Sequence, residues 1–566
     1  MILRAEEEAT KIITDAAHAA FIDANLPAFV IERPSNPSFG DFSANAAMVW
    51  AKTLHQAPLK IAEEIAAKAV LSDSYFDSIE VAGAGFINFR VAPSFYCDLL
   101  AAVFGEGERY GSSRRMAGEK IMVEYVSANP TGPMHMGNAR GAAVGDCIAE
   151  LLSFSGADVT REFYVNDSGN QIERFALSLE ARYLQHFGRD CPVPSDGYQG
   201  ADITERAAEY ASVYGDSLLY TDEETRRQKL VEFSLVRNIN DIKSTLEKYR
   251  IFYDVWFYES SLYRDKLVEK VIAMLDEKGL TYTADGAKWL RRSEAVEQNT
   301  DSEYKDEETK DEVLVRSNGN YTYYAADIAY HYNKFALRSF DRVINVWGAD
   351  HHGHVARLKE ALDDLGLDGS NRLDIVLMQL VRLVREGQPV KMSKRTGKAI
   401  SLVDLLEETS IDAARFFFNM KSPSSGMDFD LDLAVEQSSQ NPVFYVQYAH
   451  ARICSLVATL KDDGYLSENC PKDAAALLTR PEELSLLRFI ALFPKTVYDA
   501  AYECDPSNIT HYATELAGAF HSFYNACRIR GGEEKLVLPR LALADAVRHV
   551  LSNALGLLKV EAPVKM

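Results

Sequence analysis

The sequence predicts a multidomain α/β protein, in which a central parallel-sheet domain lies between a small N-terminal α+β domain and a C-terminal all-α bundle. A β-branched run at 120–126 is followed by a Pro/Gly turn, a small-residue helix and a second strand at 159–165, the order of a βαβ unit. A charged, helical stretch at about 172–280 interrupts this pattern as an insertion. After residue 422 the chain consists almost entirely of amphipathic segments, which is typical of a helical bundle.

Composition excludes several classes of protein. The chain of 566 residues carries a formal net charge of −22, so it does not coat nucleic acid non-specifically, although a local basic groove is allowed. No apolar run approaches the roughly 20 residues that span a bilayer, so no membrane association is expected. The acidic, periodic N-terminus is unlike a signal peptide, and seven scattered cysteines without a Cys-x-x-Cys pair argue against a zinc ribbon or disulfides. We expect a reduced, cytoplasmic protein.

The N-terminal domain is predicted to cover 1–115 and to combine helices with a strand. A helix at 6–22 leads into a Pro-rich extended piece, and an acidic helix at 61–70 and a strand at 86–91 follow. A stretch rich in Gly, Ser and Arg at 104–120 marks the boundary.

The central domain, predicted to cover 116–425, carries a face made of glycine. Gly137, Gly141 and Gly145 recur every four residues in the small-residue helix. Because residues four apart share one face of a helix, either another backbone or a ligand must approach this face closely. The sheet pattern resumes over three segments, at 321–335, 343–350 and 373–384.

The C-terminal domain, predicted to cover 426–566, is the helical bundle. Its amphipathic segments lie at 443–460, 484–502, 509–527 and 541–558. On the first of them, Tyr445, Tyr448 and Arg452 fall at helical spacing, a stripe that is more typical of a core than of an RNA contact.

The loop after the first strand is the first candidate site. Ligands of open parallel sheets bind beyond the carboxyl ends of the strands, where helix N-termini favour phosphate. His135 and Asn138 stand at the first turn of the small-residue helix, and each side chain can donate a hydrogen bond. No Walker A sequence is present, which excludes a P-loop. The alternative reading is a satisfied capping histidine.

A lysine-rich segment late in the sheet is the second candidate site. Lys391 and Lys394 flank Met392 and Ser393 after a predicted hairpin. The alternative is a solvated basic turn, but in a doubly wound sheet this loop and the His135 loop can face one crevice. Lysines there can neutralise the charge that develops as pyrophosphate leaves an α-phosphorus.

These segments resemble a known family. His135-Met136-Gly137-Asn138 resembles the His-x-Gly-His signature of class I aminoacyl-tRNA synthetases, with Asn in place of the second His. The run 391–395 resembles their Lys-Met-Ser-Lys-Ser signature, with Arg in place of the last Ser. The stretches VEYVSANPTGPMHMGNARGA, FYVNDSGNQ, YTYYAADIAYH, WGADHHGH and NPVFYVQYAHARI narrow the resemblance to the arginyl-tRNA synthetase family. It covers nearly the whole chain, in family order.

The resemblance implies a fold and a reaction. The fold is a Rossmann-type catalytic domain with a helical insertion, an N-terminal module that touches the outer corner of tRNA, and an anticodon-binding bundle. ATP, L-arginine and tRNA(Arg) would give arginyl-tRNA, AMP and pyrophosphate, and bound tRNA would be needed for efficient activation. ATP would bring Mg²⁺ without a dedicated protein cage; no zinc, other metal or organic cofactor is implied, and the family suggests a monomer.

Several residues would bind ATP or take part in catalysis. Those implied in ATP binding are His135, Gly137, Asn138, His351, His352, Lys391, Met392, Ser393 and Lys394. Of these, His135, Asn138, Lys391 and Lys394 would act in catalysis through positioning and charge stabilisation, and no covalent nucleophile is expected. The run 350–354 looks like a metal cluster, but adjacent histidines in a strand point to opposite sides, so we expect His351 or His352 near the adenine and ribose and give His354 no role.

Arginine requires planar, bidentate recognition by carboxylates. The residues implied are Glu124, Ser127, Asn129, Glu259, Tyr323 and Asp327. At least one carboxylate among Glu124, Glu259 and Asp327 should meet the guanidinium, and Ser127 and Asn129 should meet the amino and carboxylate groups. Tyr323 and Asp327 share one face if their segment is helical.

Contacts to tRNA are implied at both ends of the chain. Phe86 and Asn88 are the candidates in the N-terminal module, where aromatic stacking on a splayed base is the physical basis. Tyr445, Tyr448 and Arg452 are the candidates in the bundle.

Two other functions fit parts of the pattern. A catalytically silent tRNA-binding relative would be expected to lose His135, Lys391 or Lys394, and all three are present. Another nucleotidyl transferase with a small-molecule acceptor would have no need of the helical C-terminal third.

Overall fold

The computed structural model describes residues 2–21, 26–34, 36–291, 311–349, 352–390 and 400–566. The helices are α1 Ile2–Ala20, α2 Ala46–Leu54, α3 Pro58–Lys68, α4 Pro93–Glu106, α5 Met136–Phe154, α6 Gly169–His186, α7 Ala201–Tyr214, α8 Glu223–Lys248, α9 Ser260–Arg264, α10 Leu267–Glu277, α11 Tyr323–Tyr332, α12 His352–Asp364, α13 Gly369–Arg372, α14 Leu402–Glu408, α15 Ile411–Phe418, α16 Leu431–Val435, α17 Pro442–Asp462, α18 Pro481–Tyr502, α19 Ser507–Ala526 and α20 Glu534–Leu557. The strands are β1 Ile31–Glu32, β2 Phe42–Ala44, β3 Phe76–Ala82, β4 Phe86–Val91, β5 Lys120–Glu124, β6 Asp158–Val165, β7 Val255–Tyr258, β8 Thr281–Ala284, β9 Ala287–Leu290, β10 Glu312–Val315, β11 Arg342–Gly348, β12 Leu373–Met378, β13 Val381–Arg385, β14 Gln388–Pro389 and β15 Met427–Asp430.

The N-terminal region folds as an antiparallel sheet covered by helices. Its four strands lie in the order β1-β2-β4-β3. Helix α1 packs mainly against α3 and the bundle helix at 481–502, and its residues Ala5, Ala9, Ile13 and Ala16, spaced three or four apart, are almost fully buried. The predicted helices and the strand at 86–91 are confirmed here, within a few residues at their ends.

The central domain is built on a five-stranded parallel sheet in the order β12-β11-β5-β6-β7. The first strand, β5, lies in the middle, and its residues Ile121, Met122 and Val123 are fully buried, as expected of a strand covered on both faces. The chain adds β6 and β7 on one side of β5, then β11 and β12 on the other. The strand order therefore reverses at the carboxyl ends of β5 and β11, which is where such sheets bind ligands.

Two expectations about the sheet are corrected. The stretch 172–280 is not helical throughout: α6, α7 and α8 form the insertion, and β7 then returns to the sheet beside β6. The aromatic run 321–335, expected to belong to the sheet, contains helix α11 instead. The Thr322 hydroxyl caps the start of this helix by accepting from the Ala325 N–H. Its alanines and tyrosines pack with helical period, and this packing outweighs the β-propensity of the aromatic side chains.

The glycine face of α5 is covered by side chains, which is a further correction. A Cβ on Gly145 would lie 2.3 Å from the Tyr125 ring, and one on Gly141 would lie 2.9 Å from the Met378 methyl group. A Cβ on Gly137 would meet no atom of the described residues within 4 Å. Neither another backbone nor a ligand therefore explains Gly141 and Gly145, and the open position is Gly137.

The C-terminal region is a bundle of α17, α18, α19 and α20, which confirms the four predicted amphipathic segments. It contacts the N-terminal sheet directly, because Arg488 on α18 donates to Asp41 over 2.9 Å. Among the described helices, none combines the length and the apolar character needed to cross a membrane.

Candidate active site

The N-terminus of α5 opens toward the carboxyl edge of the sheet. His135 precedes this helix, and its backbone N–H donates to Asn138 Oδ1 over 3.2 Å. Because the carboxamide oxygen is used in the cap, Nδ2 is the group of Asn138 that can donate to a ligand. His135 and Gly137 are exposed. The helix start thus presents hydrogen-bond donors beside a backbone that a ligand can approach closely.

The chain that follows the lysine-rich segment lies directly against this helix start. Residues 391–399, which include Lys391, Met392, Ser393 and Lys394, lie outside the described residues. Immediately after them, Ile400 accepts from the Met136 N–H at 3.3 Å, and the Leu402 N–H donates to Met134 at 3.2 Å. His135 and Ser401 face each other as an antiparallel bridge between these two bonds. Ile400, the residue that follows the lysine-rich segment, is therefore fixed beside the His135 loop. The positions of the lysines stay predictions.

A buried arginine, which sequence reasoning missed, ties α5 to the small sheet that carries this segment. Arg140 is fully buried and donates to the carbonyl oxygens of Gln379, Ser422 and Ser425 over 2.8–3.1 Å. Gln379 precedes β13 and Ser425 precedes β15, and these two strands pair with each other. The only sequence signal for this clamp is a charged residue inside an otherwise small-residue helix.

Glu259 lies at the carboxyl end of β7 in a pocket of hydroxyl groups. Its side chain is 2% exposed and accepts hydrogen bonds from Ser168 at 2.8 Å and Tyr263 at 3.1 Å. Burial raises the pKa of Glu259 above its ordinary value, and the hydroxyls of Ser168, Tyr164 and Tyr263 oppose that rise. No cation forms an ion pair with Glu259 among the residues that the structure describes. A positively charged ligand would complete this environment.

Asp327 and Tyr323 occupy one face of α11, as their spacing predicted. Asp327 Oδ2 lies 2.8 Å from Nε2 of His354, a residue in the first turn of α12. Tyr323 is 46% exposed, and Glu259 is among the charges that raise the pKa of its hydroxyl, after the larger effect of burial. The sequence predicts no role for His354. Its contact with Asp327 depends on how α11 and α12 pack against each other, which the sequence does not show.

Ser127 and Asn129 lie on the loop after β5. Val126 and Ser127 have positive φ angles of 70° and 42°, which turn the chain sharply away from the strand. The Ser127 hydroxyl accepts from the Tyr164 N–H at 3.1 Å, and the Asn129 amide donates to Gln171 at 2.8 Å. Both residues therefore stand at the same edge of the sheet as His135.

Glu124 ends β5 and is paired with an internal cation. It is 5% exposed, and its Oε2 accepts from Lys334 Nζ at 2.6 Å, while its Oε1 accepts from Ser127 Oγ at 2.9 Å. Lys334 is itself fully buried. An internal cation therefore already neutralises this carboxylate, which also holds the Ser127 hydroxyl, whereas no Lys or Arg of the described residues pairs with Glu259 or Asp327.

The histidine run has a different local structure from the one expected. His351 lies outside the described residues, and so does the side chain of His352; α12 begins at His352, so the run is not a strand throughout. Within the described part of the chain, no group of three or more His, Cys, Asp or Glu side chains is arranged to hold a metal ion.

The candidate tRNA residues divide by exposure. Phe86 is 39% exposed at the start of β4, and Asn88, in the same strand, is 5% exposed. In the bundle Tyr448 is 43% exposed, Tyr445 packs on His521 with ring centroids 5.0 Å apart, and Arg452 lies 4.0 Å from the centre of the Tyr524 ring. This stripe is a half-exposed aromatic surface rather than core.

Comparison with known families divides the chain into three matched regions. Residues 7–91 match the family described as "Arginyl tRNA synthetase N terminal domain", residues 100–453 match "tRNA synthetases class I (R), catalytic domain", and residues 446–566 match "DALR anticodon binding domain".

Individual relatives are similar over the whole length. The chain is 50% identical to an arginine–tRNA ligase of Caldanaerobacter subterraneus subsp. tengcongensis, covering 100% of both chains, and 48% identical to one of Acetivibrio thermocellus, covering 99% of both. Arginyl-tRNA synthetase from Thermus thermophilus shares the fold with a TM-score of 0.76 at 22% identity, covering 99% of this chain and 100% of that one. The enzyme from Plasmodium falciparum gives a TM-score of 0.75 at 18% identity, covering 99% of each. With a catalytic family match over more than half of its length and full-length relatives at about 50% identity, this chain belongs to the arginyl-tRNA synthetases, a family of class I aminoacyl-tRNA synthetases.

Proposed function

We propose that this chain is an arginine–tRNA ligase that activates and transfers arginine at the carboxyl edge of its parallel sheet. In the first step the arginine carboxylate attacks the α-phosphorus of ATP and pyrophosphate leaves. In the second, a ribose hydroxyl of the terminal adenosine of tRNA(Arg) attacks the carbonyl carbon of the mixed anhydride and AMP leaves. The observation that carries this proposal is the backbone pairing of Met134–Met136 with Ile400–Leu402, which places the residue that follows the lysine-rich segment beside the His135 loop in a chain of this family.

ATP would lie over the N-terminus of α5. His135 and Asn138 would donate to its phosphates, and Gly137 would leave room for the adenosine. Lys391 and Lys394, with Met392 and Ser393 between them, would neutralise the charge that develops on the departing pyrophosphate. We place His351 and His352 near the adenine and ribose. Mg²⁺ would enter with ATP; we propose no zinc and no organic cofactor.

Arginine would lie between the β5 loop and α11. Glu259 and Asp327 would accept from the guanidinium, whose planar fork matches a carboxylate, and Tyr323 would border the same pocket. Ser127 and Asn129 would meet the amino and carboxylate groups of the substrate. The proposal is supported by Glu259, a buried acid among neutral hydroxyl donors.

For tRNA we propose Phe86 and the bundle residues Tyr445, Tyr448 and Arg452, whose aromatic and guanidinium groups can stack on unpaired bases. We also propose that bound tRNA is required for efficient activation. The proposed enzyme is a cytoplasmic monomer, with domain boundaries near residues 115 and 425. Its seven cysteines, all unpaired, support a reducing compartment.

Arginine-dependent ATP–pyrophosphate exchange, run with and without tRNA, tests this function. Exchange that appears only with tRNA is the expected result. Exchange without tRNA but with another carboxylic acid would instead indicate a different nucleotidyl transferase, and tRNA binding without any exchange would indicate a catalytically silent relative.

Lys394→Ala should slow activation by about tenfold or more while leaving tRNA affinity unchanged.

A further inference from the structure

A continuous chain of buried hydrogen bonds runs beneath the arginine pocket. It begins at the backbone carbonyl of Asp327 on α11 and ends at the hydroxyl of Ser127 on the β5 loop. The side chains between these ends belong to His331, Asn345, Lys334 and Glu124, and each is between 0% and 5% exposed.

Each link in this chain allows only one assignment of donor and acceptor. His331 Nδ1 lies 2.8 Å from the Asp327 carbonyl and Nε2 lies 2.8 Å from Asn345 Nδ2. A carbonyl can only accept and an amide NH₂ can only donate, so His331 is protonated at Nδ1 and unprotonated at Nε2. Burial also lowers the pKa of His331 well below its ordinary value, which agrees with a neutral ring.

The remaining links pass through a buried ion pair. Lys334 Nζ donates to Asn345 Oδ1 at 3.0 Å and to Glu124 Oε2 at 2.6 Å, and Ser127 Oγ donates to Glu124 Oε1 at 2.9 Å. Lys334 lies in a single π-helical turn, Asn333–Leu337, that directly follows α11. Such turns often occur at functional sites. The ammonium group also lies 4.1 Å from the centre of the Tyr330 ring.

We propose that Lys334 is a positioning residue, which sets the distance between Ser127 and Asp327 across the arginine pocket through this chain of hydrogen bonds. The inference rests on the proposed function, because it assigns the two ends of the chain to opposite ends of the bound arginine. Ser127 stands on the wall proposed for the α-amino and carboxylate groups, and Asp327 on the wall proposed for the guanidinium. A fixed span between them selects the length of the substrate side chain.

The geometry favours positioning over direct catalysis. Lys334 is fully buried, and the groups around its ammonium are Glu124, Asn345 and the Tyr330 ring, all internal. A buried charge pair is a poor source of stability compared with apolar residues of similar volume, whereas it specifies one arrangement of the groups it joins. Because removing one partner alone would leave an unpaired buried charge, a single substitution would test folding rather than positioning.

The test therefore removes both charges at once. In the full-length Glu124→Met/Lys334→Met variant, we expect kcat/KM for arginine to fall by about 10- to 100-fold, mainly through KM, with KM for ATP unchanged. We also expect poorer discrimination between arginine and homoarginine, which is one methylene longer, measured by ATP–pyrophosphate exchange with saturating tRNA. A purely structural role would lower the active fraction for both amino acids and leave KM and their ratio unchanged.

A second variant and a control keep the test decisive. Asn345→Leu interrupts the middle of the chain without touching either pocket wall and should move KM for arginine in the same direction. The control is Glu180→Met/Arg226→Met, which removes a buried pair of 2.7 Å between α6 and α8 and should leave KM for arginine unchanged. Folded variants with wild-type KM for arginine and wild-type discrimination would overturn the inference. Wild-type protein without arginine-dependent exchange would overturn the proposed function itself.

Discussion

The backbone N–H of Met136 donates to the carbonyl of Ile400 across 3.3 Å, which joins two parts of the chain that are more than 260 residues apart. Met136 is the first residue of α5, and Ile400 is the first described residue after the lysine-rich segment. The His135 loop and the residue that follows the lysine-rich segment are therefore linked by main-chain hydrogen bonds, and their relative position does not depend on side chains.

Removing one of these bonds should slow adenylate formation. Leu402 donates its N–H to Met134 and is also the first residue of α14, a position where proline is tolerated. The preceding Ser401 already has the extended backbone, φ −80° and ψ 167°, that a following proline requires. We expect Leu402→Pro to reduce the exchange rate about tenfold or more relative to Leu402→Ala. The alanine variant loses the same buried packing but keeps the N–H, so equal rates in the two variants would refute a role for the hydrogen bond.

One substitution at three positions of α5 should have three different effects. Gly145→Ala should destabilise the fold by about 1–3 kcal/mol, because its Cβ would overlap the Tyr125 ring. Gly141→Ala should be nearly neutral, since the Met378 methyl group is the end of a flexible side chain. Gly137→Ala should leave stability unchanged but raise KM for ATP. Urea unfolding and exchange kinetics on the three proteins measure both effects, and an unchanged KM for ATP in Gly137→Ala would exclude the nucleotide from that surface.

Asp327 should contribute mainly to arginine affinity. Asp327→Asn keeps the size of the side chain but removes its charge, so we expect KM for arginine to rise about 10- to 100-fold, the scale of a hydrogen bond to a charged group. His354→Phe should raise it less, because only the orientation of Asp327 is lost, and His354→Gln should preserve it by keeping a donor. Steady-state exchange at saturating ATP and tRNA measures these values. A wild-type KM in Asp327→Asn would remove this carboxylate from the pocket.

The aromatic surface of the bundle should act on tRNA alone. We expect Tyr448→Ala to weaken tRNA binding about 5- to 100-fold, the range for losing one stacked base, with KM for arginine unchanged. Tyr502 at the end of α18 is 64% exposed and supplies the matched control. Affinities are compared at one fixed salt concentration, since binding to a polyanion depends on it. Equal affinities in the two variants would place the tRNA contact elsewhere.

Acidification should destabilise the bundle through His450. This ring is buried, its Nδ1–H donates to the Pro563 carbonyl at 2.9 Å, and burial lowers its pKa below the ordinary value of about 6.5. Since the unfolded chain takes up the proton first, the stabilising contribution is complete above pH ~6.5 and is lost as the pH falls below it. We expect His450→Gln to show a shallower loss of Tm between pH 7 and pH 5 than the wild type; replacement of the exposed His511 is the control for the loss of a histidine elsewhere in the bundle. Parallel slopes in wild type and His450→Gln would contradict this assignment.

Local periodicity was sufficient to predict most elements. The bundle helices, the first βαβ unit and the strand at 86–91 follow from the spacing of apolar residues, because that spacing decides which face each element buries. The aromatic run in α11 was misplaced in the sheet, since tyrosines suit strands and the helical period was carried by only a few alanines. The strand β7 was missed because four residues after a long charged helix give too short a pattern.

The sequence by itself determined the family and the residue types of the candidate site, because signatures such as 135–138 and 391–395 are local and contiguous. Only the tertiary structure decided which of the candidate acids already has a cation beside it. Glu124 and Glu259 are both buried carboxylates at strand ends, but Glu124 is neutralised by Lys334, which lies 210 positions away in the chain. Charge pairing in a low-dielectric interior depends on distances of a few ångströms between residues distant in sequence, and no one-dimensional pattern records those distances.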